Sequence, residues 1–231
     1  MFIGEVISNK NDNCKEYIKH GRGIQEWMDG SRYYGYYIND KQCIMGKLIH
    51  PDGSYYDGEF LEGKANGKGI YKFSDGTIYD GMWKNDLQEG IGKELWPDGS
   101  VFEGNYSNGY KCGKGKFIGF NGSSYDGIYK DNKFNGTGIY IWPDKRQYIG
   151  NWKDNKMNGD GCFIWPDKRK YQGEFKEDKK HGYGIYEWSD GNIYRGLWNE
   201  GKQHGEGEVL DKNEKVWKKG LWKEGKFQQW N

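Results

Sequence analysis

Apolar and polar residues alternate along this chain in short bursts. Tyr56, Gly58 and Phe60 alternate with Asp57 and Glu59, and Gly67, Gly69 and Tyr71 alternate with Lys68 and Ile70. A period of two marks strands, whose side chains point to opposite faces. Polar turn signals bound each burst. Asp-Gly or Asn-Gly falls at Asp29-Gly30, Asp52-Gly53, Asp75-Gly76, Asp98-Gly99, Asn121-Gly122 and Asp190-Gly191, and Asp144-Lys145 and Asp167-Lys168 fill the same place in two further repeats. Pro51, Pro97, Pro143 and Pro166 each precede that Asp. Proline cannot donate to a sheet ladder, so a fixed slot outside the strands suits hairpins. A second polar turn, as at Glu62-Gly63, Asn108-Gly109 and Glu200-Gly201, lies midway. Each repeat is therefore expected to be one β-hairpin plus a link.

The repeat is 23 residues. Gly35, Gly58, Gly81, Gly104, Gly127, Gly150, Gly173 and Gly196 form one ladder, and Gly23, Gly46, Gly69, Gly92, Gly115, Gly138, Gly161, Gly184 and Gly207 form another. The residue two before each glycine of the second ladder is again Gly, except Ile44. An aromatic stands two residues before each first-ladder Gly, from Tyr33 to Tyr194, and another two after, from Tyr37 to Trp198. In Tyr-x-Gly-x-aromatic the rings and the Gly share one face. The rings are expected to cover the bare backbone and offset the entropy a strand glycine costs. A third ring slot holds Trp27, Phe73, Trp96, Trp142, Trp165 and Trp188. One hairpin buries too little alone, so hairpins are expected to stack side by side. The predicted fold is all-β: an elongated, twisted, single-layer antiparallel meander. Sixteen strands at about 4.8 Å predict a ribbon roughly 80 Å long.

Composition sharpens this. Of 231 residues, 38 are Gly, 11 Trp and 19 Tyr, with mean hydropathy −1.10, so rings must supply most of the buried apolar area. The net charge of +1 gives no reason to expect nucleic acid. Cys14, Cys43, Cys112 and Cys162 show no CxxC spacing and read as reduced structural thiols in a cytosolic setting. No apolar run reaches a membrane span, and the first residues lack the pattern of a secretory signal.

Three segments are expected. Residues 1–32 form a partial repeat with an eight-residue insertion within about Ile7 to Ile18, because Gly4 lies 31 residues before Gly35. Residues 33–211 form the array. Residues 212–231 form a half-repeat cap, with Gly220 one residue out of step.

Candidate chemistry is sparse. The recurring Gly-x-Gly is followed by a β pattern, not the helix a phosphate loop needs. His20, His181 and His204 share one slot, one per repeat, which suits a turn or strand end better than a metal. His50 falls in the third ring slot. Asp57/Lys68, Glu103/Lys114 and Arg195/Glu206 are expected to be cross-strand pairs that fix register. No cofactor, metal site or catalytic set is expected. Lys145, Arg146, Lys168, Arg169 and Lys170 occupy the same turn in successive repeats and are expected to line one edge. They are a candidate anion-binding patch for an acidic protein tail or a phosphoinositide headgroup. Trp83, Trp96, Trp142, Trp152, Trp165, Trp188 and Trp198 are candidates for an aromatic groove that docks an extended or helical segment. Unpaired edge strands are a route to self-association.

Aromatic-x-Gly-x-aromatic, then Gly-Lys, His-Gly-x-Gly and Asp-Gly on this beat, best seen in Trp198–Glu208 and Phe175–Gly191, resembles the MORN repeat family over essentially the whole chain. The middle repeats depart in the His slot, and Ile44 replaces a Gly. The resemblance implies stacked hairpins, and scaffolding roles in cytoskeletal, ciliary and membrane-associated assemblies. Frequent Asn, Lys, Tyr and Ile add a hint of an AT-rich genome. The expected function is a non-catalytic scaffold in a ciliary, axonemal or cortical cytoskeletal complex, cytoplasmic, with other proteins as partners. The competing expectation is a module that tethers a partner to phosphoinositide at the membrane periphery.

Overall fold

The computed structural model describes residues 1–11 and 14–230, with side chains except those of residues 9–16, 229 and 230. The described residues form 20 strands and no helix. They divide into two compact units, Met1–Gly113 and Lys114–Asn231.

The first unit holds β1 (Phe2–Asn11), β2 (Cys14–Glu26), β3 (Arg32–Ile38), β4 (Lys41–Ile49), β5 (Tyr55–Leu61), β6 (Lys64–Lys72), β7 (Ile78–Lys84), β8 (Leu87–Leu95) and β9 (Val101–Ser107). Each pairs antiparallel with the next. The division between units falls within β10 (Tyr110–Ile118). The second unit holds β11 (Ser124–Lys130), β12 (Lys133–Ile141), β13 (Gln147–Lys153), β14 (Lys156–Ile164), β15 (Lys170–Lys176), β16 (Lys179–Glu187), β17 (Ile193–Asn199), β18 (Lys202–Leu210), β19 (Val216–Lys223) and β20 (Lys226–Trp230), again an antiparallel meander. The all-β hairpin fold is the one the repeat predicts.

The two turns of each repeat have distinct geometries. At the midway turn both residues take positive φ, as at Asp154 (49°) and Asn155 (68°), which matches the twist of the flanking strands. The other is a three-residue loop closed by Gly at positive φ, or by Lys145 (69°) and Lys168 (74°). Its Asp accepts a hydrogen bond from the amide two residues on, as in Asp144 Oδ1 with Arg146 N at 3.1 Å. The midway turns also lock to one another. Asp178 N donates to the Met157 carbonyl, and Asp178 Oδ1 accepts from Met157 N at 2.8 Å. Lys133–Asp154, Lys156–Glu177, Lys179–Glu200 and Lys202–Glu224 ion pairs continue this repeat-to-repeat tie in the second unit.

The arms of each hairpin are unequal, typically seven residues against nine. Gly58 pairs with Gly69 and Phe60 with Ala65, so Glu59 alone faces Asn66, Gly67 and Lys68. This is a bulge, and Gly67 takes φ 88° within it. It overturns the expected charge pairs, which assumed a straight hairpin. Asp57 faces Ile70 within its hairpin, and its carboxylate meets Lys47 Nζ at 3.3 Å on β4 instead. Lys68 faces Met82. Glu103 faces Lys93, and Arg195 pairs with Glu208 rather than Glu206.

The bulge also explains the tyrosine two residues before Gly. Its ring lies across both paired glycines, and its hydroxyl donates to the carbonyl of the residue just after its own Gly, beside the bulge. Tyr56 reaches Glu59 O at 2.8 Å, Tyr148 reaches Asn151 O at 2.9 Å, and Tyr171 reaches Glu174 O at 2.9 Å. Tyr33, Tyr79, Tyr125, Tyr148, Tyr171 and Tyr194 are fully buried. Each also meets, edge to face, the ring two residues after its own Gly and the equivalent ring of the next hairpin. Tyr148, for example, lies 5.0 Å from Trp152 and 5.1 Å from Phe175. Such contacts contribute roughly 0.5–1.5 kcal/mol each beyond area burial.

The repeat ends adapt by small changes. In the first hairpin, Ser8↔Tyr17, Asn9↔Glu16, Lys10↔Lys15 and Asn11↔Cys14 are four rungs beyond the usual turn position, and these hold the eight extra residues. Near the C-terminus, Val209 faces Lys218 and Leu210 faces Val216, so the extra residue of that repeat is the bulged Trp217.

Candidate protein-docking surfaces

The seven candidate tryptophans fall in two places. Trp83, Trp152 and Trp198 are buried in the ring chain, with indole N–H groups donating to Gly69 O, Gly138 O and Gly184 O. They fill the groove. Trp96 in the first unit and Trp142, Trp165 and Trp188 in the second are half-buried.

Four of the five candidate cations, Lys145, Arg146, Lys168 and Arg169, occupy successive turns of the second unit, and Lys170 opens β15. Arg146 Nε meets Asp144 Oδ2 at 2.7 Å, and Arg169 Nε meets Asp167 Oδ2 at 2.8 Å. The two guanidiniums also lie over Trp142 and Trp165, at 5.6 and 5.4 Å from the ring centres. Lys170 lies opposite Glu187 in the ladder. Lys145 and Lys168 are exposed, and among the described residues neither they nor the half-buried Lys170 form an ion pair.

One lysine that looks like a surface residue in the sequence sits among rings. Lys180 Nζ lies 4.3 Å from the centre of Tyr186, 4.4 Å from Trp198, 5.3 Å from Tyr171 and 5.5 Å from Trp165. Burial, with a smaller contribution from Arg169, pushes its ammonium down to about 8, while the ring faces attract the charged form. The folded state thus releases this proton at a lower pH than the unfolded chain does. Stability should rise with pH between about 8 and the unfolded value near 10.5. Met157 fills the same slot one repeat earlier. Wild type should gain up to about 2 kcal/mol relative to Lys180→Met between pH 7 and pH 9.5, read from urea midpoints. Parallel profiles for the two proteins would contradict the assignment.

The opposite face of each sheet carries a row of side chains that crosses the strands at one register. In the second unit Ile139 faces Ile149, Ile149 faces Cys162, Cys162 faces Gln172, and Gln172 faces Ile185. Ile139, Ile149 and Ile185 are 41%, 43% and 40% exposed, and Tyr183 and Leu197 face each other beside the row, also exposed. In the first unit the row reads Ile3, Ile24, Tyr34, Lys47, Asp57, Ile70. The sequence carried a signal for this row, since the slot before the first glycine changes from acid to Ile at Ile149.

Among the described residues no three His, Cys, Asp or Glu side chains group to hold a metal. His181 and His204 each bury Nδ1 without a hydrogen-bond partner. Cys43 and Cys162 are in no disulfide, burial raises the Cys162 thiol, and the side chain of Cys14 lies outside the described residues. No helix of the described residues is long and apolar enough to cross a membrane.

The sequence profile of the MORN repeat matches residues 15–32, 56–78, 79–101, 102–124, 125–145, 148–168, 171–193 and 194–213. No curated protein matches the chain. Among solved structures, similarity is found to the G-box domain of the microcephaly protein CPAP, at 12% identity over 88% of this chain and 100% of that one, with TM-score 0.47. The TCP10 domain of Danio rerio CPAP matches at 9% identity over 86% and 99%, with TM-score 0.44. The SAS-4 TCP domain of Drosophila melanogaster, in complex with a proline-rich motif of Ana2, matches at 9% over 71% and 86%, with TM-score 0.40. At these scores none of the three bears on function.

Proposed function

Since the chain belongs to the MORN repeat family, a non-catalytic repeat module of protein or membrane interaction, we propose that it is a structural scaffold that holds protein partners together. The observation that carries this is the face opposite the buried ring chain. There Ile139, Ile149 and Ile185 stand exposed in one transverse row, with no layer of the described residues over them. Side chains on neighbouring strands recur about every 4.8 Å along such a row, a spacing that suits one apolar edge of an extended or helical segment. In the second unit the half-buried Trp142, Trp165 and Trp188 offer a second contact line on the ring face. The outer strands β1 and β20 offer backbone edges for self-association. The assembly we favour is ciliary, axonemal or cortical cytoskeletal.

Docking on phosphoinositide membranes is the second reading, favoured by the exposed Lys145 and Lys168. Each basic residue near an anionic leaflet contributes about 1 kcal/mol, so two give roughly 30-fold enrichment, too little for stable anchoring. Protein partners are therefore the stronger reading. Crosslinking and co-purification from native cells should return protein partners that Ile149→Lys with Ile185→Lys removes, with circular dichroism unchanged. Unchanged partners in that variant, or phosphoinositide-dependent liposome flotation lost on neutralising Lys145 and Lys168, would overturn the scaffold reading.

A further inference from the structure

The slot that holds Lys180 recurs in every hairpin, and its occupants are Lys19, Gln42, Ala65, Gln88, Lys111, Phe134, Met157, Lys180, Gln203 and Phe227. All are long or bulky except Ala65. Around Ala65 the frame that surrounds Lys180 is present again, five repeats earlier: Tyr56 for Tyr171, Phe60 for Phe175, Tyr71 for Tyr186, Trp83 for Trp198, and His50 for Trp165.

The rings have not closed over the missing side chain. Tyr56–Phe60 and Tyr171–Phe175 centres are each 5.0 Å apart. Tyr56–Trp83 and Tyr171–Trp198 are each 5.2 Å apart, at 82° and 81°. Tyr71–Trp83 and Tyr186–Trp198 are 6.0 and 6.1 Å apart. Each hairpin's rings are held by its own glycines and turns, so the frame persists with or without a filler. The result is a cavity of about 370 Å³ lined by Leu48, His50, Tyr56, Phe60, Tyr71 and Trp83.

Asp86 also lines this cavity, whereas the corresponding residue beside Lys180 is Gly201. Asp86 Oδ1 accepts from Ala65 N at 2.8 Å, which fixes the carboxylate at that position. An ammonium that enters from outside loses water, and a carboxylate beside the ring faces offsets that loss.

We propose that the Ala65 cavity is a receptor for an alkylammonium cation, and specifically for a lysine side chain of a protein partner, seated as Lys180 is seated in its own repeat. The proposal rests on the scaffold reading and deepens it by naming one side chain the partner inserts. The choice of lysine over a quaternary lipid headgroup follows from the internal example, where the same rings take an unmodified primary ammonium.

The test uses the full chain and small probes, so it does not depend on finding the partner and leaves the scaffold reading standing if it fails. Binding of N-acetyl-lysine-methylamide is measured by ligand-observed saturation-transfer NMR against N-acetyl-norleucine-methylamide, which lacks the charge. Phosphatidylcholine vesicles form a third arm. The lysine probe should bind at least ~10-fold more tightly than the norleucine probe. Ala65→Lys, which supplies the side chain internally, should abolish that binding, and Ala65→Met should do the same while carrying no charge. Asp86→Asn should weaken it several-fold. Equal binding of the two probes, binding that survives both plugging variants, or retention on vesicles with no lysine binding would each overturn the proposal.

Discussion

Raising the pH through 10 should unfold this protein cooperatively. Burial pushes the hydroxyls of Tyr37, Tyr125 and Tyr194 up to about 12, and those of Tyr33, Tyr56, Tyr79, Tyr129, Tyr148 and Tyr171 higher still. These are acids whose folded values lie above the ordinary 10, so their contribution is complete below pH 10 and is lost as pH rises beyond it. Two pH units correspond to about 2.7 kcal/mol per group. Three groups already approach 8 kcal/mol, within the 5–15 kcal/mol that holds typical domains together. Tyrosinate absorbance and far-ultraviolet circular dichroism should therefore change together between about pH 10 and 12. The opposing gain from Lys180 is a single group and cannot prevent this. Tyrosines that ionise gradually from pH 10 with the sheet signal intact would contradict the buried ring chain.

Gly161→Ala should be among the most damaging conservative changes available. A Cβ at Gly161 would stand 2.5 Å from Cε2 and Cζ of Tyr148, which is fully buried and has nowhere to move. Overpacking of this kind costs about 1–3 kcal/mol or more, and expelling the ring would add the loss of its contacts with Trp152 and Phe175. A loss of roughly 3–4 kcal/mol in urea unfolding is expected. Gly201→Ala is the contrast. Gly201 has φ 86° but open space around it, and Asn155 and Asp178 hold the same turn position at φ 68° and 67°. Strain there should cost about 1 kcal/mol. Equal losses at the two sites would mean that backbone conformation, not room for a ring, selects the ladder glycines.

Much of this architecture was legible because the chain repeats its instructions. Turn chemistry at Asp-Gly and Glu-Gly fixed where strands end, and Tyr-x-Gly-x-aromatic fixed which face is buried. The charge pairs failed for a definable reason. Gly58 lies four residues before Glu62 and Gly69 six after Gly63, so pairing the two under one ring needs two extra residues in the second arm. The extra Gly67 marks where they go, yet a glycine in a strand pattern reads equally as loose backbone. The recurrence of the cations from Lys145 to Lys170 in two successive repeats is legible, but not the ion pairs of Arg146 and Arg169 with Asp144 and Asp167, whose approach depends on the turn's own side-chain geometry. Lys180 and Ala65 were hidden more deeply. Neither residue type signals a ring cage, and the frame forms only when neighbouring hairpins contribute Trp165 or His50 and Trp198 or Trp83. The face opposite the ring chain is hard to read in sequence because the slot before the first glycine runs from Tyr34 through acids at Asp57 to Asp126 to Ile149, Gln172 and Arg195, so that slot alone does not mark it as apolar.

The central claim is that a tyrosine ring seated on paired glycines is what makes each hairpin fold and stack. A double-mutant cycle on Tyr148 and Gly161 tests it most directly. Tyr148→Leu and Gly161→Ala are measured singly and together by urea unfolding. If the ring and the bare backbone require each other, the double variant will be less damaged than the sum of the singles by about 2 kcal/mol or more. Additive losses would contradict the account.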